Sequence, residues 1–511
     1  MYRLLLPLFV FVQISAIAQA PGSTDASFGP NGIKNIPYYV WNIIPLPDNS
    51  FLTSGYETDL FEFLTYWKYK PDGSTDSTYG MDGKIITPVK NVPQLKDLQD
   101  GKFVFLTREI IGLPNNAADL KIGMLNADFE MDSTWGASGF ATLDIGYNEY
   151  GRSAARLPDG KIMVFGATKP VTNPDYESSI FLARFTAEGQ VDSTFGYNGW
   201  SKPDIQNWFD YRWQNPVGLV VFPDGKFIIG AEIRRKDPFK NFFYFAKYLP
   251  DGAIDSDFGT DGYIYQEIGA QTTILTEMLL DDQGRLLALG LADYSLTVMA
   301  RYSSNGQLDN TFSSDGIFTT DFMILSSVVL QPDGKILLGG NEYSGNIDQT
   351  RIMRLTENGN FDNSFSGDGK VTFNLAPNEE ELYDLKLQAN GKILFSGIKY
   401  SSNQNYLARL HSGLVVASEE PFATTIKTAK VMPSLVYNDR DLTIEFPHSG
   451  LADPSAILIN MSGRTTVIEL KDSGDELHLS AQIPEQLSPG FYHILFMCNQ
   501  NEVARVSFIK V

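Results

Sequence analysis

One phrase recurs seven times along this chain. Asp-x-(Ser/Thr/Asp)-aromatic-(Gly/Ser) begins at Asp25, Asp76, Asp132, Asp192, Asp255, Asp309 and Asp362, at spacings of 51 to 63 residues. Its aromatic is Phe28, Tyr79, Trp135, Phe195, Phe258, Phe312 and Phe365 in turn, and a glycine follows each copy, from Gly32 to Gly369. A fixed period of this length makes each copy one supersecondary unit that buries its apolar faces only against its neighbours.

A second phrase interleaves with the first. Pro158-Asp159-Gly160-Lys161, Pro223-Asp224-Gly225-Lys226 and Pro332-Asp333-Gly334-Lys335 each sit between two apolar runs. Looser copies stand at Pro47-Asp48-Asn49-Ser50, Gln99-Asp100-Gly101-Lys102, Asp282-Gln283-Gly284-Arg285 and Ala389-Asn390-Gly391-Lys392. Proline presets φ and glycine accepts φ > 0, so the phrase reads as a hairpin turn between two buried strands, A and B. A third element, such as Phe181-Leu182-Ala183-Arg184-Phe185 or Val298-Met299-Ala300-Arg301-Tyr302, runs through a polar Gly turn into the aspartate phrase. That is a second hairpin, C and D. Four strands per unit, with no sustained 3.6-residue period, is the pattern of a β-propeller blade and not of a helical solenoid.

The ends of the array make the count a topology. The chain opens on a D phrase at Asp25 and leaves after a C strand, Tyr406-Leu407-Ala408-Arg409-Leu410, with no D phrase behind it. Seven blades close into a ring if the N-terminal D strand completes the last blade. An open stack would leave an unpaired edge. The expected fold is all-β: a seven-bladed propeller with one-plus-three closure over residues 21–414, then a linker at 415–430 and a small β-sandwich at 431–511. In that last segment the pattern shifts to short alternating strands such as Leu442-Thr443-Ile444-Glu445-Phe446 and Phe491-Tyr492-His493-Ile494-Leu495-Phe496.

Residues 1–20 read as a signal peptide. Arg3 gives the positive start, Leu4 to Val12 the apolar stretch, and Ala18-Gln19-Ala20 the small-x-small site for cleavage after Ala20. The apolar run is too short to span a bilayer. Cys498 is the only cysteine, so no intrachain disulfide forms despite the export route. The formal net charge of −21 disfavours nucleic acid and an anionic lipid surface as partners.

The two interleaved phrases resemble the delta-60 repeat family of exported bacterial proteins, which carries Pro-Asp-Gly-Lys-Ile and Leu-Asp-x-x-Phe-Gly-x-x-Gly. The resemblance covers about residues 21 to 412 and implies an exported propeller-like module without an assigned chemistry. The final segment is similar to the C-terminal sorting domain of the type IX secretion system of Bacteroidetes. The matching features are Pro433, Leu442-Thr443-Ile444, Met461-Ser462-Gly463-Arg464, Gly490-Phe491-Tyr492 and Phe508-Ile509-Lys510-Val511, with Pro433-Ser434-Leu435 where that family has Pro-Asn-Pro. This resemblance implies an address tag read by the type IX machinery, carrying the propeller from the periplasm to the outer-membrane surface or the medium. A generic immunoglobulin-like accessory domain is the alternative.

Chemistry is sparse in the repeats. The histidines are His411, His448, His478 and His493, so residues 21–410 hold neither histidine nor cysteine. Triad-type nucleophiles and zinc sites built from those ligands are thereby excluded from the propeller. Paired carboxylates could still hydrolyse glycosidic bonds. Most aspartates, however, occupy repeated turn positions, where they cap backbone N–H groups. No cofactor is expected; Asp-rich turns such as Asp72-Gly73-Ser74-Thr75-Asp76 offer calcium its preferred oxygens but lack a full ligand set.

The B–C and D–A loops share one face of the ring, and irregular aromatics gather there. They include Trp208, Phe209, Tyr211, Arg212 and Trp213, the group Tyr38, Tyr39 and Trp41, and the pair Tyr147 and Tyr150. Trp208, Tyr211, Arg212, Trp213, Tyr38 and Trp41 are the candidate ligand-binding residues. The alternative is that these rings cap the core between blades. Function reads as a monomeric secreted or surface-bound module for a glycan or protein ligand. Two alternatives remain: a carbohydrate-active hydrolase or lyase using carboxylates on the same face, and a structural component of the envelope.

Overall fold

The Pro-Asp-Gly-Lys phrases turn as their chemistry requires. In the computed structural model Asp159 and Asp224 each accept the backbone N–H two residues on, from Lys161 and Lys226, at 3.1 Å. The turns lead into B strands such as Ile162–Lys169 and Phe227–Arg235, buried for their first seven residues. Near-continuous burial marks strands covered on both faces, here by the neighbouring blades.

The structure describes residues 20–414 except 57–62, 91–93, 99–100, 111–117, 170–177, 204, 206–210, 236–239, 322, 345–346 and 374–379, together with strands between 446 and 510. The signal-peptide residues 1–19 and the linker 415–430 lie outside the described residues.

Seven four-stranded antiparallel sheets form the ring, six of them in simple A-B-C-D order. The seventh combines Glu380–Leu387, Lys392–Lys399 and Gln404–His411 with Ile33–Ile36 from the beginning of the chain. Ile33 pairs with Ala408 and Ile36 with Asn405, antiparallel, so one-plus-three closure is the observed topology. The segment beyond 446 holds a four-stranded antiparallel sheet (Pro454–Asn460, Thr465–Ile468, Gly490–Cys498, Asn501–Lys510) and a three-stranded one (Phe446–Pro447, Leu470–Asp472, His478–Ala481).

The aspartate phrase is not itself the D strand. It forms a capped turn before it, and the D strand begins only after the following glycine, as at Ile317–Asp321 behind Gly316. Within the turn Asp309 Oδ1 takes the N–H and the hydroxyl of Thr311, while its Oδ2 receives Arg301 of the C strand at 2.8 Å. The lysine of the A–B turn approaches the same aspartate: Lys226 lies 3.0 Å from Asp255, and Lys392 lies 2.8 Å from Asp25.

The arginine also carries the link to the next blade. Arg184 donates to Asp192 at 2.7 Å and to the Pro250 carbonyl of the following blade at 3.1 Å, and stacks 4.8 Å over Phe195. Arg409 repeats this at the closure, with Asp25 at 2.7 Å, the Pro71 carbonyl of the first blade, and Phe28 at 4.5 Å. The following blade's turn must come very close to the aromatic. At Gly252 (φ +95°) a Cβ would sit 2.4 Å from the Phe195 ring, so only glycine fits there. The repeated residues therefore form a socket that joins each blade to the next.

Candidate functional site

The residues that the repeat does not share converge on the axis of the ring. In six of the seven A strands the pairing with B slips by one residue, between Val40 and Asn42, Gly151 and Ser153, Pro216 and Gly218, Leu275 and Glu277, Leu325 and Ser327, and Leu382 and Asp384. Each slip is a β-bulge, which re-aims a side chain and bends its strand. The extra residues are Trp41, Arg152, Val217, Thr276, Ser326 and Tyr383, and all six line a central cavity of about 280 Å³. Lys96 of the second blade's A strand, Gln94–Asp97, completes the contribution of all seven blades.

In three blades the residue after the bulge reaches to the next blade. Asp384 Oδ2 accepts the Ile43 N–H at 2.8 Å, the Ser327 hydroxyl donates to the Leu385 carbonyl at 3.0 Å, and Glu277 accepts from the Val328 N–H. At Gly218 the same position is filled by Met278, whose Cγ would lie 2.5 Å from an added Cβ. A ladder of inter-blade contacts thus holds the wall of the channel.

Five charged groups face this space. Lys386 pairs with Asp384 at 2.5 Å, and that carboxylate outweighs the effect of burial to raise the lysine. Burial and then the Arg152 guanidinium push Lys96 down, and among the described residues Lys96 has no hydrogen bond or ion pair. Burial pushes Glu277 up to about 7, against the pull of Lys386 and Lys96. Basic side chains thus line the wall at the second and third blades, and a carboxyl that burial pushes up to about 7 stands at the fifth. In a chain of net charge −21 this is a local reversal of sign.

At the first and seventh blades Trp41, 51% exposed, stacks on Tyr383 with centroids 5.6 Å apart. Tyr400, also exposed, hydrogen-bonds to Glu381 beside them. Of the residues expected to bind ligand, Trp41 is thus in the channel wall. Tyr38 is buried and stacks on Trp67 at 3.6 Å, packing as a core ring. Tyr211, Arg212 and Trp213 open the A strand Tyr211–Val221, with Tyr211 opposite Arg235 and Trp213 opposite Arg234. Trp208 and Phe209 lie outside the described residues. Tyr147 is exposed, with Lys202 Nζ 5.1 Å from its ring centroid. The Asp-rich turn uses its oxygens locally: Asp72 accepts from Ser74, and Asp76 from Thr78.

Lys96, Arg152, Glu277, Asp384 and Lys386 were missed from sequence. The available signal was a charge interrupting the apolar run before an A–B turn in only some of the repeats.

A family model agrees with the propeller fold. The family described as "Domain of unknown function (DUF5122) beta-propeller" matches residues 157–195 and 331–365, each stretch running from an A–B turn to the aromatic of the aspartate phrase. No curated protein matches the chain. Among solved structures, a polysaccharide lyase of family PL25, an ulvan lyase bound to -[GlcA(1-4)Rha3S]-, is 9% identical with a TM-score of 0.43, over 74% of this chain and 96% of that one. The β-propeller domain of the Trilobed protease from Pyrococcus furiosus is 9% identical with a TM-score of 0.40, over 76% and 99%. Prolyl oligopeptidase B from Galerina marginata is 11% identical with a TM-score of 0.38, over 73% and 47%. The chain is a β-propeller repeat protein.

Proposed function

We propose that this protein is an exported binding module whose ligand is an acidic glycan held at the axis of the ring. The observation that carries this reading is the convergence of all seven A strands, six of them bulged, on one cavity. It brings Lys96 and Arg152 together with the Trp41–Tyr383 stack. A guanidinium and an ammonium in a partly desolvated wall suit a carboxylate or sulfate. An exposed tryptophan supported from behind by a second ring offers a flat apolar platform for a sugar face. The sorting-domain resemblance of residues 431–511 and the signal-peptide pattern of residues 1–20 support delivery to the cell surface or medium.

Binding of the full chain to an array of acidic and neutral glycans tests the reading. The expected result is selective retention of acidic glycans, weakened about 10- to 100-fold by Arg152→Ser and by Trp41→Ala, the range for losing one charge-assisted contact or one aromatic anchor. Unchanged binding in both variants overturns the axial site. Retention of protein ligands in place of glycans overturns the ligand class.

A second reading rests on Glu277. A carboxyl poised near 7 beside two cations is what general acid–base cleavage of a polysaccharide requires. Release of new chain ends from a bound glycan, abolished by Glu277→Gln with binding retained, would favour that reading.

A further inference from the structure

Away from the channel lining, three carboxylates meet where the second blade hands over to the third. Asp119 is the second residue of the C strand Ala118–Leu125, Asp144 directly follows the D strand Phe140–Leu143, and Glu149 is the second residue of the A strand Asn148–Arg156. One oxygen from each lies within 4.8 Å of the others. Asp119 and Glu149 are buried, Glu149 to 0% exposure, while Asp144 is open to solvent.

The second observation concerns Glu149 alone. Its Oε1 accepts the Tyr147 N–H at 2.9 Å and the Ile145 N–H also approaches the carboxylate, but its Oε2 is buried with no hydrogen-bond partner among the described residues. A buried carboxylate oxygen without a donor is costly, and two further acids beside it increase the cost. Neither Asp144 nor Glu149 forms an ion pair with a lysine or arginine among the described residues. The loop is nevertheless held in place: Asn148 Oδ1 accepts the Ala118 N–H at 2.9 Å, and Asp144 Oδ1 accepts the Gly146 N–H at 2.8 Å.

We propose that Asp119, Asp144 and Glu149 form a calcium site that joins the second blade to the third. The donor set is all oxygen and anionic, which selects a hard divalent cation over zinc or copper. Oxygens within 4.8 Å of one another need only a small side-chain adjustment to share one ion at about 2.3–2.6 Å, the Ca–O range. Magnesium, at about 2.0–2.1 Å, would require them to draw closer. The exposed side at Asp144 leaves room for water to complete the shell. The Glu149 strand continues to Arg152 in the channel wall, so the ion would also anchor the start of that strand. The site stands independently of the glycan reading.

The test uses the full chain stripped with a chelator and then titrated with calcium or magnesium chloride. Calorimetry should show one calcium site, and saturating calcium should raise the melting temperature by about 3 °C. Magnesium should bind at least tenfold more weakly. Asp144→Asn sits on an exposed loop, and Glu149→Gln relieves charge crowding, so both variants should fold. Each should lose at least tenfold in calcium affinity together with the thermal shift. Absence of calcium-dependent heat and thermal shift in the wild type at millimolar calcium overturns the site, as does an unchanged response in both variants.

Discussion

Glu277 and Asp25 show how one residue type acquires opposite tasks in this ring. For Asp25, burial works against the charged form, yet Lys392, Ser27 and Arg409 together outweigh it and hold the carboxyl well below its usual range. Glu277 has no such set of donors, and burial pushes it up to about 7. Because its folded value exceeds the unfolded one, the folded state binds more protons between about pH 4.5 and 7. Its contribution to stability is therefore fully present below that window, falls as pH rises through it, and is flat above it. Glu277→Gln should remove this slope and stabilise the protein above pH 7 by on the order of 1–2 kcal/mol, a figure discounted for water in the channel. Urea denaturation of both proteins from pH 5 to 8 measures this. A wild-type-to-variant difference that does not change with pH counts against it. The repeated aspartates were legible as architecture from recurrence alone, whereas a single glutamate in an apolar run carried no sign of its surroundings.

Among elements, the closing D strand Ile33–Ile36 is the one that sequence order places farthest from its partner. Its four pairs with Gln404–His411 are reinforced by the Asp25–Arg409 socket, with both side chains nearly fully buried. Removing one partner of a buried ion pair costs about 3–5 kcal/mol. Arg409→Ala and Arg184→Ala should both destabilise by roughly that amount, since the two sockets are alike. Only Arg409→Ala should free the N-terminal strand, which limited proteolysis would detect as early cleavage within residues 21–36. Equal protection of that segment in both variants would show that closure does not depend on the socket. The staggered ends of the array made this closure readable. The A-strand bulges were not, because a register slip exists only between two strands.

At the scale of the whole molecule, every strand of the seven blades comes from residues 33–411, and none comes from the segment beyond 446. A chain lacking residues 431–511 should therefore keep the propeller's melting transition within about 2 °C, a shift worth less than about 1 kcal/mol. If the sorting resemblance holds, the same truncation should accumulate in the periplasm of a producing cell. Fractionation with an antibody to the propeller reads that outcome, and normal export of the truncated chain removes the tag assignment.

What the sequence by itself determined was the blade count, the four-strand unit, both turn chemistries and the closure. Each is written in short phrases whose partners lie within one repeat, or in the order of those phrases. Only the tertiary structure decided where the unshared residues meet. Lys96, Arg152, Glu277 and Tyr383 come from four blades, and Asp119, Asp144 and Glu149 from two strands and the loop between two blades. Their proximity follows from strand register and the closing of the ring, which are properties of the packed whole and leave no periodic trace in the chain.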